Sequence, residues 1–431
     1  MNIFIAILAF LSAILILVLI HEFGHFFAAK LVKIKIERLS IGFGKPFWKY
    51  KSKNNIEYAL APILLGGFVK LDDKSFNSAS TWRRLLIMLA GVFANILFAV
   101  IMFWLLFIIG IDSLKPVIGK ITPNSIAREA GLKKGEEIKT IDERKVGDWQ
   151  AVNIAVIYRI GDKDIMRVNN HNLDLSNWRI DQLNPDPLQS LGIEPYEPIL
   201  PAIIGNISKN SYAMKMGLQI NDQILAINGR SINDWKTLVT YIHEHPKQQV
   251  TFTIKREHKT IKLSGLIGSK LILKLQRQGY LGVMPTAINY PSSMLFKQKY
   301  PFYQAVFPAI KEVYVLLALN FIILIKLLTG KMSLYILGGS ISIFNSSAIA
   351  FHAGLLAYIS FLALFSVMLA FVNILPIPVL DGGHCVFLLI ETLLGKPIPN
   401  QIQQIAMRIG ALILTVLVFL SLGNDLLRLF L

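Results

Sequence analysis

The 431-residue chain is short of charge, of cysteine and of acidic residues, and each shortage excludes something. Charged residues make up 16% against 54% apolar, a balance that argues against an ordinary soluble enzyme of this length. A single cysteine, Cys385, excludes an intramolecular disulfide, so the compartment cannot be read from cysteine pairing. It reads instead as a small buried apolar residue. Acidic side chains number 27 against 44 Lys and Arg, a formal charge of +17. No recognisable nucleic-acid module accompanies that charge, so no nucleic-acid partner is expected. The charge is concentrated: from Lys30 to Arg84 there are twelve basic and four acidic residues. That block lies between two apolar runs, the signature of a cytoplasmic loop. No Lys or Arg precedes the first apolar run, so the N-terminus is not expected to be a cleavable signal peptide.

What is abundant is long apolar sequence. Ile3–Ile20 carries no charge, and helix continuing to Ala29 would span roughly 40 Å, enough for a tilted crossing. Residues 1–30 therefore read as a first transmembrane helix, with His21 roughly 13 Å inside its basic end. Residues 31–84 change period: Ile34, Ile36, Leu39, Ile41, Phe43 and Phe47, then Tyr58, Leu60, Pro62 and Gly66-Gly67, predict short strands and tight turns. Residues 85–111 return the chain across the membrane.

From Asp112 to about Pro291 the chain looks soluble and repeats itself. Ile121–Trp149 aligned with Ile207–Trp235 gives eleven identities without a gap, including Gly131-Leu132 with Gly217-Leu218 and Asp148-Trp149 with Asp234-Trp235. Two copies of one small α/β module follow, at 112–197 and 198–290, and their Gly-Leu patterns resemble PDZ domains. In the second copy Asn221 stands where the first has Gly135, a tolerable exchange at a turn because Asn also enters the left-handed region. In 291–354 the apolar run Val313–Ile325 is only thirteen residues long and bracketed by charge, which predicts interfacial helices. A third span lies in 355–384 and a fourth in 404–424. Four spans bring Asp381 to the membrane face that holds His25; a fifth would carry it to the opposite face. The expected fold is therefore a polytopic α-helical membrane protein with four transmembrane helices, a membrane-associated β-loop and two tandem extracytoplasmic PDZ domains.

His21-Glu22-Phe23-Gly24-His25 is an HExxH motif. On a helix the two imidazoles share a face and can bind one Zn²⁺, with Glu22 about 100° away as a general base. HExxH also arises by chance, but two His and a Glu inside a bilayer helix are costly unless partnered or functional. A catalytic zinc needs a third protein ligand. Asn373-Ile374-Leu375-Pro376-Ile377-Pro378-Val379-Leu380-Asp381-Gly382-Gly383-His384 supplies a candidate. Its prolines and glycines break the span, and broken backbone at membrane depth is tolerated where it is buried or lines a wet cavity. Asp381 at that break is a ligand candidate or, alternatively, a helix-terminus cap. His352 and His384 are metal-capable by residue type, with His384 suited to a supporting role.

HExxH in the first span and N-x-x-P-x-P-x-L-D-G-G-H in the third resemble the site-2 protease family of intramembrane zinc metalloproteases, over essentially the whole chain. The resemblance implies that His21, His25 and Asp381 hold Zn²⁺ and that Glu22 is the base. It implies a re-entrant β-loop at Tyr58–Leu71 that receives substrate, with Pro62, Leu64, Gly66 and Gly67 in it. Asn95, in Gly91-Val92-Phe93-Ala94-Asn95, and Asn373 match family asparagines associated with substrate handling or the active-site environment. It further implies a bacterial inner membrane location with PDZ copies in the periplasm and an active site towards the cytoplasm. The implied substrates are a transmembrane anti-sigma factor already cut by an upstream site-1-type protease, and signal-peptide remnants. A strand edge would supply hydrogen bonds to an unwound substrate by β-augmentation, unless the hairpin only packs against helices. The PDZ copies would grip carboxyl termini, exclude bulky substrates or act as spacers. Two other readings compete: a PDZ membrane scaffold with a vestigial metal motif, and a transporter, which should show inverted repeats among its spans.

Overall fold

The computed structural model describes residues 3–181, 186–271, 277–286 and 289–430. Among these the helices are, in chain order, α1 (Ile3–Leu31), α2 (Asp73–Asn77), α3 (Thr81–Ile109), α4 (Ile126–Glu129), α5 (Trp149–Arg159), α6 (Pro187–Leu191), α7 (Tyr212–Met216), α8 (Trp235–Glu244), α9 (Val306–Leu328), α10 (Ser340–Ala353), α11 (Leu355–Ile374), α12 (Asp381–Leu394) and α13 (Asn400–Phe430). Five of them, α1, α3, α9, α11 and α13, and the stretch Leu334–Ala353 are long and apolar enough to cross a membrane.

The first half of α1 buries small residues and exposes large ones. On α1, Ala6, Ala9 and Ala13 are buried whereas Ile3, Phe4, Ile7 and Leu8 are exposed. In water that pattern would be inverted; in lipid, small faces let helix backbones approach and large apolar side chains meet acyl chains. α3 packs against both α1 and α11, which makes it the central post of the membrane part. Tyr358 on α11 donates to the Ala9 carbonyl at 2.7 Å, tying α11 to α1.

Between α1 and α3 four strands form a sheet: β1 (Ile36–Phe43), β2 (Trp48–Lys51), β3 (Glu57–Leu60) and β4 (Ile63–Leu71), in the order β2-β3-β1-β4. β1 and β3 run parallel and the other pairs antiparallel. The Tyr58–Leu71 stretch thus divides. β3 is interior, Pro62 lies in the exposed turn that follows it, and β4 is the edge strand, packed along α1.

The two soluble copies repeat in structure as in sequence. Ser125 and Ser211 cap α4 and α7, and Asp148 and Asp234 cap α5 and α8. Gly131 and Gly217 take φ of +86° and +83°, and Gly135 and Asn221 take +84° and +72°, the conformation that made the Asn exchange tolerable. In each copy a strand near the start pairs with one near the end, Ile118–Ile121 with Ile193–Pro195 and Ile204–Ile207 with Val283–Pro285. Each copy has its own apolar core, to which Trp149 and Trp235 contribute as partly buried packing.

One expectation about the last third needs correction. The run Val313–Ile325 is part of a longer helix, since α9 has 23 residues and includes Lys311, Glu312 and Lys326. Two of the three charges find partners in the first soluble copy: Gln150 donates to Glu312 at 2.6 Å, and Lys326 donates to the Ile160 carbonyl. Residues 355–384 hold two helices. α11 ends at Ile374, a proline-containing turn follows, and Asp381 opens a separate helix, α12.

Candidate metal centre

The centre is assembled from three elements. α1 supplies His21 and His25 one turn apart, the start of α12 supplies Asp381, and α3 lies behind both histidines. The α11–α12 turn is tight: a Cβ on Gly382 would collide with the Ile374 carbonyl, and one on Gly383 with the Ile377 carbonyl. Only glycine lets the chain double back so closely after the prolines, and that reversal carries the Asp381 carboxylate to α1.

Asp381 Oδ2 lies 3.1 Å from His21 Nε2 and 3.3 Å from His25 Nε2, and the two Nε2 atoms are 3.2 Å apart. Bonds of about 2.0–2.2 Å to a tetrahedral zinc put its donors roughly 3.3–3.6 Å apart. The observed triangle is near that size. His25 Nδ1–H donates to the Ile87 carbonyl at 2.8 Å, which leaves the Nε2 lone pair facing inward. Asp381 Oδ2 is buried without a hydrogen-bond partner, and Asp381 does not serve as a cap, since the N-cap of α12 is Leu380. Lone pairs and a carboxylate converging in a buried site call for a cation. The residues present therefore fit Zn²⁺, with three protein ligands and one tetrahedral position left for water.

Glu22 is buried at 7% exposure, between the histidines in sequence. β4 reaches it: a Cβ on Gly67 would come within 2.9 Å of Glu22 Cγ and 2.8 Å of the Ser40 carbonyl. Gly67 thus permits the edge strand to lie against the motif. Gly66 neighbours it on β4, and the side chain of Leu64 lies outside those described. Asn373 sits in the last turn of α11, half-buried. Asn95 is fully buried with its amide nitrogen 3.2 Å from His21 Nδ1. Among the described residues His21, His25 and Asp381 form the one metal-capable cluster; His352 and His384 stay outside it.

Several contributors escape sequence reading. Ile87 acts through its carbonyl, which no side-chain pattern reports. Ser366 donates to the Asn95 carbonyl at 2.8 Å, and one of two serines in an apolar span was its only trace. At Gly91 a Cβ would collide with His25 Nε2 and lie 2.6 Å from His21 Cε1; four-residue spacing from Asn95 was the available signal.

The sequence model of peptidase family M50 matches residues 9–417. The chain belongs to that family. It is 38% identical over 450 residues to protease RseP of Yersinia pestis, with 100% of each chain covered. It is 36% identical over 442 residues to the regulator of sigma-E protease RseP of Escherichia coli (strain K12), covering 98% of each. A putative zinc metalloprotease of Vibrio cholerae serotype O1 matches at 33% over 445 residues, again with 98% of each chain covered. As an M50 peptidase the protein is a zinc metalloprotease, with several helices able to span a membrane and β-rich parts between them.

Proposed function

We propose that the protein cuts single-span membrane proteins at a site within the bilayer, near its cytoplasmic face, using His21, His25 and Asp381 as zinc ligands and Glu22 as general base. The observation that carries this reading is the approach of β4 to Glu22 beside the His–His–Asp triangle. His21, His25 and Asp381 would hold a zinc whose chemistry there would be that of a Lewis acid towards the scissile carbonyl and water. Glu22 takes the proton of the attacking water and returns it to the leaving amine. The free edge of β4, around Gly66 and Gly67, holds the unwound substrate as an added strand, with Pro62 and Leu64 at its entry and Asn373 beside the α11–α12 turn.

Four spans, α1, α3, α11 and α13, account for this arrangement. α10 has 14 residues, short of the ~20 that a crossing needs, and the stretch Leu334–Ala353 that contains it is not one helix, since residues 337–339 are non-helical. Along α9, contacts with the first PDZ-like copy run from Glu312 to Lys326, roughly 21 Å of helix, and a water-soluble module so placed keeps α9 out of the hydrocarbon. The basic Lys30–Arg84 segment then faces the cytoplasm, and both PDZ-like copies face the other side of a bacterial inner membrane. There the copies exclude substrates with bulky outer domains until an upstream protease trims them. The names of the relatives support an anti-sigma factor as substrate; signal-peptide remnants fit the same single-span chemistry.

The test uses purified protein with a single-span substrate, with and without a zinc chelator. Glu22→Gln is expected to abolish cleavage and keep zinc and fold, since it removes the base but no ligand. Turnover retained in Glu22→Gln, or in chelated wild type, would overturn the scheme.

A further inference from the structure

α1 presents His25 and His21 one turn apart, and α3 answers with Ile87, Gly91 and Asn95 at the same four-residue spacing. The Ile87 carbonyl takes the His25 Nδ1 proton, Gly91 gives both rings room, and Asn95 stands opposite His21 Nδ1. One face of α3 thus repeats, for each histidine, a polar group on the ring nitrogen that points away from Asp381.

The two polar groups differ in one respect. A carbonyl can only accept, which fixes His25 with its proton on Nδ1. A carboxamide can accept or donate. With Nδ2 towards His21, the imidazole would have to keep its proton on Nε2, the atom that faces Asp381 and His25 and that a metal needs bare. In that orientation Asn95 Oδ1 is also buried with no partner. A half-turn of the nearly isosteric amide places Oδ1 on Nδ1–H, gives the orphaned oxygen a donor and frees Nε2. The Asn95 backbone is already held by Ser366, so the side chain starts from a fixed point.

We propose that Asn95 is a positioning residue: its Oδ1 accepts the Nδ1 proton of His21 and locks that ring in the zinc-binding tautomer, as the Ile87 carbonyl does for His25. This rests on the metal reading of the site. It gives Asn95 a task in the active-site environment, one of the two roles implied for it, and not in substrate contact. Partners of this kind contribute about 10- to 100-fold to metal affinity.

The experiment measures zinc affinity of the full-length purified protein by competition with a chromophoric chelator, alongside thermal unfolding of the metal-free form. The order expected is wild type and Asn95→Asp tightest, Asn95→Ser intermediate and Asn95→Ala about 10- to 100-fold weaker, with metal-free melting alike. A carboxylate can only accept, so retention in Asn95→Asp reports the acceptor role and not mere packing. Should Asn95→Asp fail to fold, the Ser-to-Ala difference carries the test. Equal affinity in Asn95→Ala, or Asn95→Asp as weak as Asn95→Ala, overturns the proposal while leaving the metal site standing. No zinc binding by the wild type would overturn the metal reading itself.

Discussion

The metal centre and the tandem PDZ-like copies are built on opposite plans. The centre has no core of its own: its groups come from α1, α3, β4 and the start of α12, and residues 25 and 381, far apart in sequence, meet within 3.3 Å. Each copy instead carries a closed local core and its own caps, and its signature residues lie within about thirty positions of one another. Local modules tolerate change by degrees. A site pooled from several helices fails when any one contributor shifts, because its donors sit on backbones that cannot follow one another.

The sharpest break of that contrast is Asp381→Ala. Two imidazoles remain, the third ligand is gone, and zinc content and proteolysis are expected to fall to background while circular dichroism stays that of the wild type. Metal analysis with the single-span cleavage assay checks it; retained zinc would remove Asp381 from the ligand set. Gly91→Ala comes next. Its new methyl group would press on both rings, and strain of about 1–3 kcal/mol is expected. That corresponds to roughly one to two orders of magnitude in zinc affinity, read by chelator competition.

The copies themselves differ, and smaller effects follow. In the second, Asp222 is fully buried, receives two 2.8 Å bonds from Arg256 and also accepts from the Gln219 amide. In the first, the aligned Glu136 pairs with half-buried His171 at 3.2 Å. Asp222→Ala is expected to cost the second copy about 1–3 kcal/mol, seen as faster hydrogen exchange in the Gln249–Leu266 hairpin with zinc unchanged. Glu136→Ala should cost the first copy about 1 kcal/mol or less. Equal losses would mean that the buried pair is no special feature of the second copy.

The HExxH motif was legible because its two histidines are one helical turn apart, so spacing alone states the geometry. The repeat was legible because its eleven matches recur at one offset, and the left-handed turn at Asn221 followed from residue type. Asp381 was legible as a break in a span, but its freedom from capping was not, since a cap and a ligand are the same residue in the same place. The length of α9 was misjudged because its charged ends are paid no penalty once Gln150 and the Ile160 carbonyl meet them. Those partners lie about 160 positions upstream. The strand segment was recognised, but not that β3 is interior while β4 is an edge, because strand order is set by pairing and not by composition.

Sequence by itself determined the membrane character, the duplicated module, the pair of motifs and the metal-capable residue types, all properties of local spacing and solubility. Tertiary structure alone decided that Asp381 Oδ2 closes a triangle with both imidazoles, that α3 backs them at Ile87, Gly91 and Asn95, and that β4 lies against Glu22. Those facts depend on how separate backbones approach, which glycine positions and helix packing settle and which no stretch of chain encodes alone.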